Sequence, residues 1–128
     1  MTLSFTVYGV PMGKPRMTRR DKWKQRDCVV RYRAWADHVR TVAGVREKQE
    51  LLKPTRLTLR AYFPMPKSWS ARTKLNAVGH PHIQKPDLDN IQKALMDALF
   101  VNDQYIYAGE QEKYWDDGKG ARLEVELS

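Results

Sequence analysis

The sequence predicts a small single-domain α+β fold over residues 1–128, a mixed β-sheet with two main helices in the order β-α-β-α-β-β. Three observations predict it. Segments with a two-residue hydrophobic period alternate with two longer segments of helical period. The length of 128 residues suits one hydrophobic core and not two. The single cysteine, Cys28, cannot close an intrachain disulfide or build a thiolate zinc site, so packing has to hold the chain together.

"LSFTVYGV" opens the chain with Leu3, Phe5 and Val7 alternating against Ser4, Thr6 and Tyr8, and Gly9 to Pro15 end this first strand. Residues 14–27 follow as a basic segment that reads as an arm or mobile loop, with Met17 and Trp23 among its charges. From about Cys28 to Gly44, Val29, Tyr32, Ala36, Val39 and Ala43 recur at three- and four-residue steps, which marks an amphipathic helix. A second strand spans Thr55 to Phe63, between Pro54 and Pro64, with Leu57, Leu59, Ala61 and Phe63 on one side. Residues 64–86 form a Pro-rich loop that includes a short helix opened by Ser68 or Ser70. Ile91, Ala94, Leu95, Ala98 and Leu99 mark a second main helix from about Asp89 to Phe100. "YIYAGEQEKYW" and "ARLEVEL" flank the turn Asp116 to Gly120 and read as a closing hairpin.

Charge is divided unevenly. Residues 1–60 hold 15 Lys and Arg against 5 Asp and Glu, whereas residues 61–128 hold 8 against 10, within a net charge of +8. A basic half of this kind points first to nucleic acid and second to an acidic membrane surface. No apolar run approaches the roughly 18 residues that span a bilayer, and the N-terminus lacks a signal peptide's basic start and cleavage site, so the expected location is cytoplasmic.

Against this basic background, "KPDLDNIQKALMDALFVND", Lys85 to Asp103, concentrates four aspartates. In an extended approach Asp87 and Asp89 share one side of the backbone. Within the helix, Lys93 lies about 40° and Asp97 about 80° around from Asp89, on the side away from the apolar residues. Asp103 lies just past the helix end, where a turn could return it to the cluster or leave it in solvent. Two readings of the acids stand open. Asp89 with Gln92 forms a capping-box variant, and Lys93 forms ordinary i, i+4 ion pairs. Alternatively, converging carboxylates hold a hard cation such as Mg²⁺ or Mn²⁺ for phosphodiester chemistry, with Lys93 stabilising developing charge. An EF-hand is excluded, because Gln92 stands where its glycine is needed. A phosphate-binding loop fails on the short spacing of "GVPMGKP". His80 and His82 form an H-x-H pair that reads as a solvated loop.

The series Asp-x-Asp-Asn, Lys, Asp-Ala-Leu, Asp closely resembles the signature of the RusA family of Holliday junction resolvases, endodeoxyribonucleases often encoded by phages. "MPKSWSARTK" and the first strand followed by "GKPRMTRR" are similar to the phage branch, so the resemblance covers most of the chain. It implies a homodimer that nicks opposing strands of four-way junctions with Mg²⁺ or Mn²⁺ in recombination and repair. It places metal-binding carboxylates at Asp87, Asp89 and Asp103, with Lys93 completing the catalytic set. Asn90, Asp97 and Asn102 are candidate supporting residues; Asn102 stands where the family often has another Asp. Lys14, Arg16, Arg19, Arg20, Lys22 and Lys24 are the expected phosphate contacts. Met17, Trp23 and Trp69 are candidates for stacking on unpaired bases, against the commoner fate of core packing. The alternative function is a non-catalytic basic DNA- or RNA-binding protein.

Overall fold

The computed structural model describes residues 2–16, 18, 26–45 and 53–128. Among them the order is β1 (Leu3–Tyr8), α1 (Asp27–Ala43), β2 (Arg56–Phe63), α2 (Ala71–Ala77), α3 (Leu88–Leu99), β3 (Ala108–Trp115) and β4 (Arg122–Leu127). The expected order is present, with the short helix of the Pro-rich loop added; Ser70 caps it by accepting the N–H of Thr73. No helix among the described residues is long and apolar enough to cross a membrane.

The strands form one mixed sheet in the order β1-β4-β2-β3. β4 runs antiparallel to both β1 and β2, and β3 runs parallel to β2. The expected hairpin between the last two strands is therefore not formed: β2 separates them. Side-chain chemistry explains the exchange. β4 presents Leu123, Val125 and Leu127, all buried, and takes a central position. β3 presents Gln111 and Lys113 at equivalent inward sites and takes an edge, where polar side chains reach partners outside the core. The turn still has the local chemistry of its sequence, since Asp116 Oδ1 accepts the N–H groups of Gly118 and Gly120. β2 and β3 approach so closely at Gly109, with φ +145°, that a Cβ there would lie 1.7 Å from the Leu57 carbonyl oxygen.

α1 and α3 cover one face of the sheet. Tyr32, Ala36 and Val39 from α1 meet Ile91, Ala94, Leu95, Ala98 and Leu99 from α3 over Val7, Leu57, Leu59 and Leu123. Alanines at 36, 94 and 98 keep these surfaces small. Two side chains of α1 then bond to the α3 backbone: the Tyr32 hydroxyl donates to the Ala94 carbonyl at 3.0 Å, and Arg40 Nη1 donates to the Ala98 carbonyl at 2.9 Å. Arg40 thereby meets a carbonyl near the negative end of the α3 dipole. Burial, with the charge of Asp97 adding and that of Arg40 opposing, pushes the Tyr32 hydroxyl up to about 12, so it remains a donor.

The opposite sheet face is polar. Arg122 is 3 % exposed there, donating to both carboxylate oxygens of Asp117 and to Glu124, with its guanidinium 3.8 Å from the Tyr62 ring centre.

Tyr32→Phe removes one buried hydrogen bond while keeping the ring. It should cost about 1 kcal/mol of stability in urea denaturation. An unchanged midpoint would show that the hydroxyl does not help to hold α3.

Candidate active site

The segment that delivers α3 is held by the edge strand. The N–H of Trp115 donates to the His80 carbonyl at 2.8 Å, and the N–H of His82 donates to the Lys113 carbonyl at 3.1 Å. The Lys113 ammonium then donates to the carbonyls of Gln84 at 2.6 Å and Pro86 at 2.9 Å. His82 is buried, stacked on Phe63 with centroids 4.2 Å apart and meeting the Trp115 edge at 4.5 Å. This corrects the solvated-loop expectation for His82; its exposed neighbour His80 conforms to it. Trp69 packs against Trp115 at 4.8 Å and is half-buried, the core-packing fate.

Asp87 is the N-cap residue of α3. Its carbonyl accepts the N–H groups of Asn90 and Ile91, both at 3.1 Å, yet its carboxylate makes no cap bond. Asp89 lies in the first turn, so the helix begins before the residue that the capping-box reading needed. The side chains of Asp87, Asp89 and Lys93 are exposed and have no hydrogen-bond or ion-pair partner among the described residues. Both carboxylates are unpaired, and oxygen donors are the kind that a hard divalent cation takes.

The start of the basic segment lies on the same helix. The Lys14 N–H donates to the Asn90 carbonyl at 3.4 Å, and the Lys14 ammonium pairs with half-buried Asp97. Gly13 fits so tightly that a Cβ would stand 2.5 Å from Asn90 Nδ2 and 3.0 Å from the Pro86 Cβ. An open cleft results between residues 11–16 and α3. Lys14 and Asn90 line its middle, Lys85 and Asp87 one end, and Arg16 and Lys93 the other. Arg16 is exposed, and its carbonyl accepts from Arg26 Nη2 at 2.7 Å. Arg19, Arg20, Lys22, Lys24, Met17 and Trp23 lie outside the described residues.

Asp103 is exposed and stands beyond the other end of α3. Its loop is tied to the start of β2, where the Tyr107 N–H donates to the Thr55 carbonyl at 3.0 Å. A helix of 12 residues is about 18 Å long, which separates Asp103 from Asp87 and Asp89 within one chain. Accordingly, no group of three His, Cys, Asp or Glu side chains among the described residues is close enough to hold a metal ion. Asn102 Oδ1 accepts the Gln104 N–H at 3.2 Å, a local turn bond.

Sequence reasoning missed Lys113. The available signal was a lysine on the inward parity of a strand, in register with buried Ala61.

Comparison with known proteins bears on this arrangement. The family described as endodeoxyribonuclease RusA matches residues 8–128. The chain is also 32% identical over 105 residues to the uncharacterized protein YqaN of Bacillus subtilis (strain 168), covering 76% of this chain and 73% of that protein.

A pH dependence of stability follows from His82. Burial first, and the Lys113 charge second, pull its pKa below the ordinary 6.5. The unfolded chain binds a proton near that value that the folded chain takes up only at lower pH. This contribution is therefore complete above pH 6.5 and drains as the pH falls. Urea midpoints should drop from pH 7.5 to 5.5, and His82→Phe should flatten that part of the profile; an identical slope in the variant would exclude His82 as its source.

Proposed function

The chain belongs to the RusA endodeoxyribonuclease family, and from that premise we propose that it resolves four-way DNA junctions by paired, divalent-metal-dependent nicks. The observation that carries this reading is the unengaged carboxylate of Asp87, which lines one end of the cleft beside Lys85, followed two residues on by the equally unengaged Asp89 in the first turn of α3. A chain with net charge +8 has many cations with which to neutralise them. They are left open to solvent instead, where a divalent cation has access to them.

Each group has a role by its chemistry. Asp87 and Asp89 would hold Mg²⁺ or Mn²⁺ at the start of α3. Bound there, the ion would supply an activated water and charge neutralisation at the scissile phosphate. Lys93, one turn along α3, donates to a phosphate oxygen as negative charge grows on it. Arg16, with Arg19, Arg20, Lys22 and Lys24, contacts flanking phosphates and gives salt-sensitive, mostly sequence-independent binding. Lys14 contributes from the cleft floor, where Asp97 holds it. Asn90 braces that floor, and Asn102 shapes the loop carrying Asp103.

Asp103 completes the ligand set from a second copy. An α3 length of about 18 Å is far beyond the reach of one coordination sphere. A two-fold homodimer can bring Asp103 of each protomer to Asp87 and Asp89 of the other. The same symmetry presents two equivalent sites to a junction of approximate two-fold symmetry.

The test is a synthetic mobile four-way junction incubated with wild-type protein in Mg²⁺, in EDTA, and with Asp87→Asn in Mg²⁺. Paired nicks are expected only in the first, with Asp87→Asn still binding the junction. Binding without cleavage by the wild type in Mg²⁺ and Mn²⁺ would favour the non-catalytic DNA-binding alternative. Wild-type nicking by Asp87→Asn would remove Asp87 from the site.

A further inference from the structure

Lys113 occupies an unusual position. In register along β3, Gly109, Gln111, Lys113 and Trp115 face Leu57, Leu59, Ala61 and Phe63 of β2, all four of them buried. An inward-facing strand position of this kind ordinarily carries an apolar side chain. Gln111 and Lys113 both break that rule on this edge strand, and a local rule broken with no gain in core packing is a mark of function.

What Lys113 gains is control over one short segment. Its carbonyl accepts the His82 N–H, and its ammonium donates to the carbonyls of Gln84 and Pro86. These three bonds fall on alternate residues leading directly to Asp87. Both side-chain bonds are charge-assisted, the stronger kind, and they grip backbone carbonyls whose positions are fixed by the chain path. Pro86 is covalently joined to Asp87, whose carbonyl in turn starts the first turn of α3. Lys113 has no ion-pair partner among the described residues, so these two carbonyls are what its ammonium serves.

We propose that Lys113 is a positioning residue that fixes the Asp87 carboxylate by anchoring the Gln84 and Pro86 carbonyls to the edge strand. The proposal rests on the nuclease reading for its catalytic consequence, though the anchoring itself does not. The ammonium touches neither substrate nor reacting atoms; it acts through the backbone. A displacement of about 1 Å at a reacting group costs on the order of 100-fold in rate. Loss of the anchor should therefore appear in kcat and leave junction affinity in place.

The experiment compares Lys113→Met, which keeps the stem without the donors, and Lys113→Arg, which keeps donors, with wild type. Single-turnover cleavage of a four-way junction is measured together with amide exchange. Lys113→Met should lower kcat about 100-fold with KM within about twofold of wild type, and Lys113→Arg should recover part of the loss. The Asn90 and Ile91 amides should exchange faster in Lys113→Met, while β4 amides keep their protection. Wild-type kcat in Lys113→Met, or equal loss of protection in β4, would overturn the proposal; the latter would mean that Lys113 only stabilises the fold. Should the wild type itself cleave nothing, the nuclease reading falls, and the exchange at Asn90 and Ile91 alone decides whether Lys113 positions this turn.

Discussion

Burial of the apolar side of α3 is the constraint on which the rest of the molecule depends. Ile91, Leu95 and Leu99 are fully or almost fully buried between the sheet and α1, each worth roughly 1.5–3 kcal/mol relative to exposure. With that side fixed, the helix cannot rotate, and Asp89, Lys93 and Asp97 must face the other way. Tyr32 and Arg40 bond to α3 carbonyls and oppose axial sliding as well. The positions of the acids are thus consequences of hydrophobic packing several ångströms away from them.

The same rigidity sets the distance between the carboxylates. α3 acts as a spacer with Asp87 and Asp89 at one end and Asp103 past the other, which makes a second copy part of the proposed site. Charge distribution favours approach of DNA on the helix side. The outward strand positions on the opposite sheet face carry Glu110, Glu112, Glu124 and Glu126, answered in part by Arg60 and Arg122. The cleft between residues 11–16 and α3 gathers Lys14, Lys85, Arg16 and Lys93, answered in part by Asp87 and Asp97. A polyanion is drawn to that side and repelled from the Glu-rich face.

Much of this was legible in the sequence where the signal is local. The repeat of Ile91, Ala94, Leu95, Ala98 and Leu99 marked α3 to within a residue at each end, because a buried helix face leaves a periodic trace. Alternation marked β1 and β2 for the same reason. The strand order was not legible. Turn chemistry at Asp116 to Gly120 is local and correct, yet which strands pair is decided by competition between the apolar side chains of β4 and the polar ones of β3 for a central place. His82 was misread because its partners, Phe63 and Trp115, are distant in the chain. Lys113 left little trace because it binds backbone carbonyls, which have no identity in a sequence. The separation of Asp103 from Asp87 was in principle available, since a rigid helix of known length fixes it.

The central claim, a carboxylate site assembled from the two ends of α3 on different protomers, is tested most directly by mixing two inactive variants. Asp87→Asn and Asp103→Asn homodimers each spoil both sites. In the mixed dimer, one site combines both substitutions and the other combines neither. Random subunit exchange between equal amounts of the two variants should therefore restore nicking of one junction strand per mixed dimer, about a quarter of the wild-type site count. If mixed dimers form and remain as inactive as either parent, the three aspartates do not meet across the two-fold axis, and the account of α3 as a spacer between protomers is wrong.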